Sequence, residues 1–356
     1  MTAVLSIDLG AIQDNWRLLD GLHPGETAGV VKADAYGLGA LQVGPALAAA
    51  GCKIFFTAHL AEAVALRAVL PGQKIGVLNG LFPHAAEDFY EHDLVPVLGA
   101  LGEVASWRAA AHALGRVLPC FLHLETGMHR LGLTVGERAI LAGEKTRLEG
   151  LAVEYIITHL VAADAPDDAV NARQKRLFQE LAKQFPGVKT SIGNSSGMFL
   201  GADFHTDLAR PGAALYGVNP VPGRPNPMRH VATLQAPILQ IHDVWPGESV
   251  GYSGVWRAER PSRIATLGVG YADGYHRSLS NKATAYFDDT PIPLVGRVSM
   301  DLTTFDVTDV NAKPGDMLTL LGPRHDADAL AAQAGTNGYE ILTSLRGRFD
   351  RRYIGA

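Results

Sequence analysis

The feature that most restricts this chain is an alternation in its first two-thirds. Short apolar runs at 28–31, 53–57, 74–78, 94–98, 117–122, 151–157, 188–192 and 212–216 are separated mostly by longer stretches of helical character, such as 60–70, 102–114 and 169–184. About eight strand-then-helix units over some 200 residues is the count and length of a (β/α)8 barrel, although a doubly wound open sheet produces a similar string. No GxGxxG or P-loop follows the first strand, which weakens a nucleotide-binding open sheet.

The alternation stops at 219–228, Asn-Pro-Val-Pro-Gly-Arg-Pro-Asn-Pro-Met, a proline density that neither a helix nor a central strand tolerates. Beyond this junction strands are expected at 231–244, 263–271, 283–287, 292–299 and 317–321, with one late helix at 327–334. Residues 3–9 read as a short strand, and from Gly10 a helix begins with Ile12, Trp16 and Leu19 at helical spacing. The expected division is a barrel over 10–228 and a mainly β domain over 229–356, joined by the N-terminal strand 1–9.

Within the barrel pattern, the stretch Gly29 to Gly39 (GVVKADAYGLG) delivers Lys32 to a strand end, after which glycines are expected to turn the chain toward a helix. An amine at a barrel's C-terminal face is a candidate nucleophile. Arg130, His159, Asn194, Ser195 and Arg210 also fall at strand ends. Asn194-Ser195-Ser196-Gly197 follows the seventh run and Arg210-Pro211-Gly212-Ala213 leads into the eighth, where small residues let backbone N–H groups approach a phosphate. A strand-end amine beside a phosphate corner suggests a phosphorylated aldehyde cofactor, pyridoxal 5'-phosphate (PLP).

Charge argues against polyanionic partners. The formal net charge is -5 and the pI near 6.2, so neither nucleic acid nor an anionic membrane is expected. The basic group Arg346, Arg348, Arg351 and Arg352 reads as a solvated or interface-paired tail. No leader pattern or membrane span is visible, and the expected location is the cytoplasm. Cys52 and Cys120 read as reduced, buried hydrophobes, and no HxH or HExxH occurs among the 13 histidines, so no metal site is expected.

The motifs VVKADAYGLG, LETGMHRLG, ITHLVAAD, NSSG, ARPGAALYG, VGYSG, GVGYADGY and VGRVSMD, in this order, closely resemble the alanine racemase family, PLP-dependent isomerases with a barrel followed by a β-domain. The resemblance runs nearly end to end. It implies that Lys32 holds PLP covalently, that Tyr36, Asn194, Ser195 and backbone groups around Gly212 and Ala213 hold its phosphate end, and that Arg210 faces the pyridine nitrogen. A permanently charged guanidinium leaves that nitrogen unprotonated and the ring a weaker electron sink, which favours prompt return of a proton to Cα. Racemisation needs a base on each face, and the resemblance assigns the second to Tyr252, contributed by the other subunit of a homodimer and assisted by His159 linked to Arg210. It gives the substrate carboxylate to Arg130 and the Met300 N–H, and places Tyr271, Arg277 and Arg297 along the entryway.

The implied reaction is interconversion of L- and D-alanine for cell-wall peptidoglycan. A serine or broad-specificity racemase on the same scaffold is the alternative. A related decarboxylase would use a cysteine in its β-domain, whereas both cysteines here precede residue 121. Three positions depart from the family pattern: His123 stands where many members carry a carbamate-modified lysine, Ser191 where a histidine is frequent, and Gly347 in a tail lacking a tyrosine that some members direct at the phosphate.

Overall fold

A computed structural model describes residues 2–355. Seven parallel strands, Gly29–Val30, Ile54–Thr57, Lys74–Val77, Val95–Leu98, Leu118–His123, Leu151–Ile157 and Lys189–Ser191, pair in sequence order into one curled sheet. Strands covered on both faces read as unbroken apolar runs, and Ile54–Thr57 is buried at every position. Alternate residues still divide between two cores. Val30, Phe56, Val97, Phe121 and Tyr155 fill the barrel interior, while Phe55, Ile75, Leu98, Leu122 and Ile156 pack outward beneath the helices.

The eighth position differs from the expected strand at 212–216. Leu208–Ala209 occupies it, pairing in parallel with Glu26–Thr27, while the Asp207 N–H donates to the Thr190 carbonyl (3.1 Å) and the Arg210 N–H to that of Gly193 (2.8 Å). Pro211 has no N–H to continue the ladder, and Ala213–Tyr216 winds into a 3-10 turn that buries Ala214, Leu215 and Tyr216. A short apolar run cannot by itself distinguish a buried turn from a strand. The architecture is α/β, an N-terminal (β/α)8 TIM-type barrel followed by a mainly β C-terminal domain.

Val4–Asp8 leaves the barrel altogether, pairing antiparallel with Ala232–Val244 and parallel with Asp350–Ile354. Its last residue caps the helix Leu9–Leu22, the Asp8 carboxylate accepting from the Ala11 N–H at 2.8 Å, and Leu9, Ile12, Trp16 and Leu19 are buried along that helix. Ala232–Val244 also pairs with Met317–Leu321 and Ser262–Leu267, and Thr284–Phe287 pairs with Thr290–Pro293. The expected strands 263–271 and 292–299 therefore end early, at Leu267 and Pro293, and their remainders become loops that carry Tyr271 and Arg297.

Several elements have no counterpart among the expected ones, among them the strands Thr303–Asp306 and Asp350–Ile354 and the helix Gly338–Ser344. The helix had a readable signal, Asn337 three residues before Glu340, and the Asn337 side chain does accept from the Glu340 N–H at 2.9 Å. The last strand, Asp-Arg-Arg-Tyr-Ile, has the charged composition of a protected sheet edge rather than of a core strand. Both cysteines are free and buried, and burial pushes each thiol up to about 12.

Candidate active site

Lys32 lies at the mouth of the barrel, just past a strand whose Val30 and Val31 N–H groups donate to the Pro211 and Phe56 carbonyls at 3.0 and 2.9 Å. The chain then turns in an unexpected way. The reversal is made by Ala33, Asp34, Ala35 and Tyr36, all with φ between 53° and 56°, before Gly37 and Gly39 are reached. One left-handed turn of non-glycine residues costs roughly 1–2 kcal/mol per residue, so its surroundings must hold it. The Glu62 carboxylate accepts from the Ala33 N–H (2.7 Å), the Asp34 carboxylate from the Ala40 N–H (2.7 Å), and Arg351 donates to the Gly37 carbonyl (2.8 Å).

The turn carries Tyr36 back toward the eighth strand position, where its ring packs on Tyr216 with centroids 4.8 Å apart. Its hydroxyl lies against Gly212, so that a Cβ on Gly212 would overlap it. Burial pushes the Tyr36 phenol up to about 12. In the same corner the Gly212 and Ala214 N–H groups converge on Ser195 Oγ at 2.9 and 3.1 Å. Asn194 builds this corner, its side-chain oxygen accepting from the Gly197 N–H at 2.8 Å.

Cations crowd the remaining side. Arg210 is buried and donates to Ser191 Oγ and, at 2.5 Å, to the Thr158 carbonyl; Ser191 Oγ in turn donates to the Leu208 carbonyl at 2.6 Å. Burial lowers Arg210 to about 10, which leaves it charged at neutral pH. The expected link from Arg210 to His159 is absent among the described residues; both hydrogen bonds of the guanidinium go to Ser191 and Thr158. In the sequence Ser191 stands out only as a departure from the family pattern, and nothing in its spacing marks it as the anchor of Arg210.

His159 is lowered to about 3, first by burial and then by Arg210, Arg130, Lys32 and His123, and His123 to about 4 by burial and then by Arg210. Both imidazoles are therefore neutral near pH 7. Burial, then Arg130, also lowers Lys32 from 10.5, opposed by Glu62. Arg130 is exposed and has no carboxylate partner among the described residues.

Tyr252, Tyr271 and Met300 do not join this cluster through any hydrogen bond among the described residues. They stand on the surface of the β-rich part, 70%, 41% and 55% exposed. Gly251 (φ 73°) and Ser253 (φ 62°) turn the chain on either side of Tyr252. The Tyr271 and Met300 loops are zipped together, the Tyr271 N–H donating to the Ser299 carbonyl (3.0 Å) and the Ala272 N–H to the Met300 carbonyl (2.9 Å). Arg277, also exposed, and Arg297 flank them.

Fold and site together define a class: a TIM-type barrel with a mainly β C-terminal domain, and a partly dehydrated lysine amine set among neutral histidines and arginines beside a corner of backbone N–H groups. Residues 7–220 match the alanine racemase N-terminal domain and residues 231–353 the alanine racemase C-terminal domain, so the chain belongs to the alanine racemase family. It is 57% identical over 348 residues to an alanine racemase of Acidiphilium cryptum, covering 98% of this chain and 97% of that one. The crystal structure of an alanine racemase from Bartonella henselae, with covalently bound pyridoxal phosphate, superposes with a TM-score of 0.96 at 40% identity, covering 99% of this chain and 100% of that one. An alanine racemase of Methylobacterium sp. is 49% identical over 356 residues, 99% of this chain and 98% of that one.

Proposed function

We propose that this chain interconverts L- and D-alanine with PLP held by Lys32, as a homodimer in which each site takes Tyr252, Tyr271 and Met300 of the partner subunit. The observation that carries this reading is the setting of Lys32, an amine whose ammonium form is disfavoured by burial and by Arg130 and Arg210. The donor set suits PLP: a nucleophilic amine for its aldehyde, a cradle of Gly212 and Ala214 N–H groups with Ser195 and Tyr36 for its phosphate, and a charged guanidinium for its ring nitrogen. Gly212 and Ala213, with Asn194 shaping the turn, keep that cradle open to an anion.

Bound PLP supplies an electron sink that acidifies the Cα–H bond of the substrate. Lys32 Nζ takes or returns the Cα proton on the face it occupies, and the phenol of Tyr252 of the partner subunit does so on the other. Neutral His159 offers an acceptor nitrogen to that phenol. Arg210, fastened by Ser191 and Thr158, keeps its charge and its orientation. Among the described residues Arg130 has no carboxylate partner and the Met300 N–H donates to no group, and both are left to bind the substrate carboxylate. The surface exposure of Tyr252, Tyr271 and Met300 supports their service to a second subunit.

We assign this chemistry to the cytoplasm and to the supply of D-alanine for peptidoglycan; no helix among the described residues is long and apolar enough to cross a membrane. The proposed units are 10–228 and 229–356, with strand 1–9 completing the second, a reading supported by the pairing of Val4–Asp8 with Ala232–Val244. A chiral assay of the purified protein on alanine, serine and a panel of other amino acids tests the assignment. Racemisation fastest with alanine is expected, faster turnover of serine would move the assignment to a serine or broad-specificity racemase, and no turnover of either would overturn it.

A further inference from the structure

The arginines of the C-terminal tail are not equivalent. Arg352 pairs with Asp350, two residues away, at 2.7 Å, and Arg351 reaches the Gly37 and Leu345 carbonyls. Arg348 instead bridges carboxylates from two separate loops. Its Nε donates to Asp273 Oδ1 at 2.6 Å and its Nη2 to Asp273 Oδ2 at 3.2 Å, while Nη1 and Nη2 both donate to Asp301 Oδ1 at 2.8 Å.

Asp273 is only 3% exposed, and its Oδ2 also accepts from the Gly270 N–H at 2.9 Å. A carboxylate so buried must be paired, and its fixed position anchors the guanidinium. Asp273 belongs to the loop that carries Tyr271, and Asp301 directly follows Met300. The two loops touch so closely that a Cβ on Gly270 would overlap the Ser299 and Met300 carbonyls. Backbone bonds join the loops on that side, and on the Asp301 side Arg348 is the fastening among the described residues.

We propose that Arg348 is a positioning residue for the substrate: by joining Asp273 to Asp301 it makes the Tyr271 and Met300 loops one rigid unit and so aims the Met300 N–H at the substrate carboxylate in the partner's site. This rests on the shared-site reading above. A planar guanidinium bridges two carboxylates in a way that a lysine ammonium does not reproduce. The substrate keeps its carboxylate throughout the reaction, so misplacing its donor weakens ground state and transition state alike and raises KM rather than lowering kcat.

In the purified holoenzyme, Arg348→Ala is expected to raise KM for both alanine enantiomers about tenfold, with kcat changed less than about twofold and the visible absorbance of the bound cofactor unchanged. Arg348→Lys, which retains one ion pair, is expected to fall between. An unchanged KM overturns the proposal, as does a loss of cofactor and thermal stability in which lysine does no better than alanine.

Hybrid dimers, purified through two different affinity tags, separate this proposal from the shared-site reading. Pairing a Lys32→Ala chain with an Arg348→Ala chain leaves one working lysine, served by a Met300 loop with its native arginine, and a normal KM is expected. Pairing the double variant Lys32→Ala/Arg348→Ala with a wild-type chain is expected to raise KM at the one working site. The reverse pattern overturns the shared site while leaving Arg348 its role in its own subunit, whereas the same KM in both hybrids, normal or raised, overturns the role of Arg348.

Discussion

At the scale of single residues the site is governed by burial of groups that ordinarily titrate. His159 and His123 fall from 6.5 to about 3 and about 4, so both are neutral in the folded chain where the unfolded chain would protonate them. Between those values the unfolded state binds more protons, and stability therefore rises with pH. The contribution is complete above about pH 6.5 and is lost as pH falls toward 4 and then 3. Thermal melting followed across pH 7 to 4 should show the midpoint falling, and the double variant His123→Gln/His159→Gln should flatten that slope; an unaltered slope would remove the two imidazoles from the account. His123 also bears on the departure from the family pattern. A neutral imidazole forms no stable carbamate, and no hydrogen bond ties it to Arg130 among the described residues. Removing carbon dioxide and bicarbonate should leave racemisation unchanged, and bicarbonate-dependent activity would show that an unrecognised lysine is modified.

At the scale of elements, the left-handed turn Ala33–Tyr36 is the most demanding piece of backbone in the site. Ala33 is exposed, so substituting it tests the conformation with little disturbance of packing. Glycine removes the Cβ clash and should raise stability by up to about 1 kcal/mol after its own entropy cost, whereas a β-branched valine should lower it by more than about 1 kcal/mol. Melting temperatures in the order Ala33→Gly, wild type, Ala33→Val are expected, and the reverse order would mean that the turn is not left-handed in solution. Helix Gly338–Ser344 and strand Asp350–Ile354 brace this turn from the β-rich part: a Cβ on Gly37 would come within 2.5 Å of the Leu342 carbonyl. The lysine loop is thus held by elements that join the chain last.

At the scale of the whole molecule, the barrel gathers one set of groups and the β-rich part exposes another. If two subunits complete each other, Tyr252→Phe should keep the cofactor and lose racemisation by about 10²–10⁴-fold, the ordinary loss on removing a general acid–base group. Mixing that variant with Lys32→Ala under conditions that exchange subunits should restore part of the activity, because one hybrid site receives both native groups. Proven exchange without recovered activity would contradict a shared site.

Local sequence was sufficient for the elements whose burial leaves a print in composition. Strands covered on both faces had to be continuous apolar runs, as at Ile54–Thr57, and helices covered on one face had to repeat their apolar residues, as Ile12, Trp16 and Leu19 do. The strand-end positions of Lys32 and His159 followed from that pattern, whereas Arg210 ends Leu208–Ala209, ahead of the run 212–216 expected to be the eighth strand. Tertiary structure alone decided what depended on partners far along the chain. Residues 212–216 are apolar enough for a strand, yet Pro211 ends the ladder and Tyr216 turns in to donate its hydroxyl to the Val30 carbonyl at 2.9 Å. Ala33 to Tyr36 have no intrinsic preference for positive φ and hold it because Glu62, Asp34 and Arg351 satisfy the backbone around them. Ser191, ordinary as a strand residue, becomes the anchor of Arg210 only once the strands Lys189–Ser191 and Leu208–Ala209 lie side by side, because a hydrogen bond depends on position in space and not on separation in sequence.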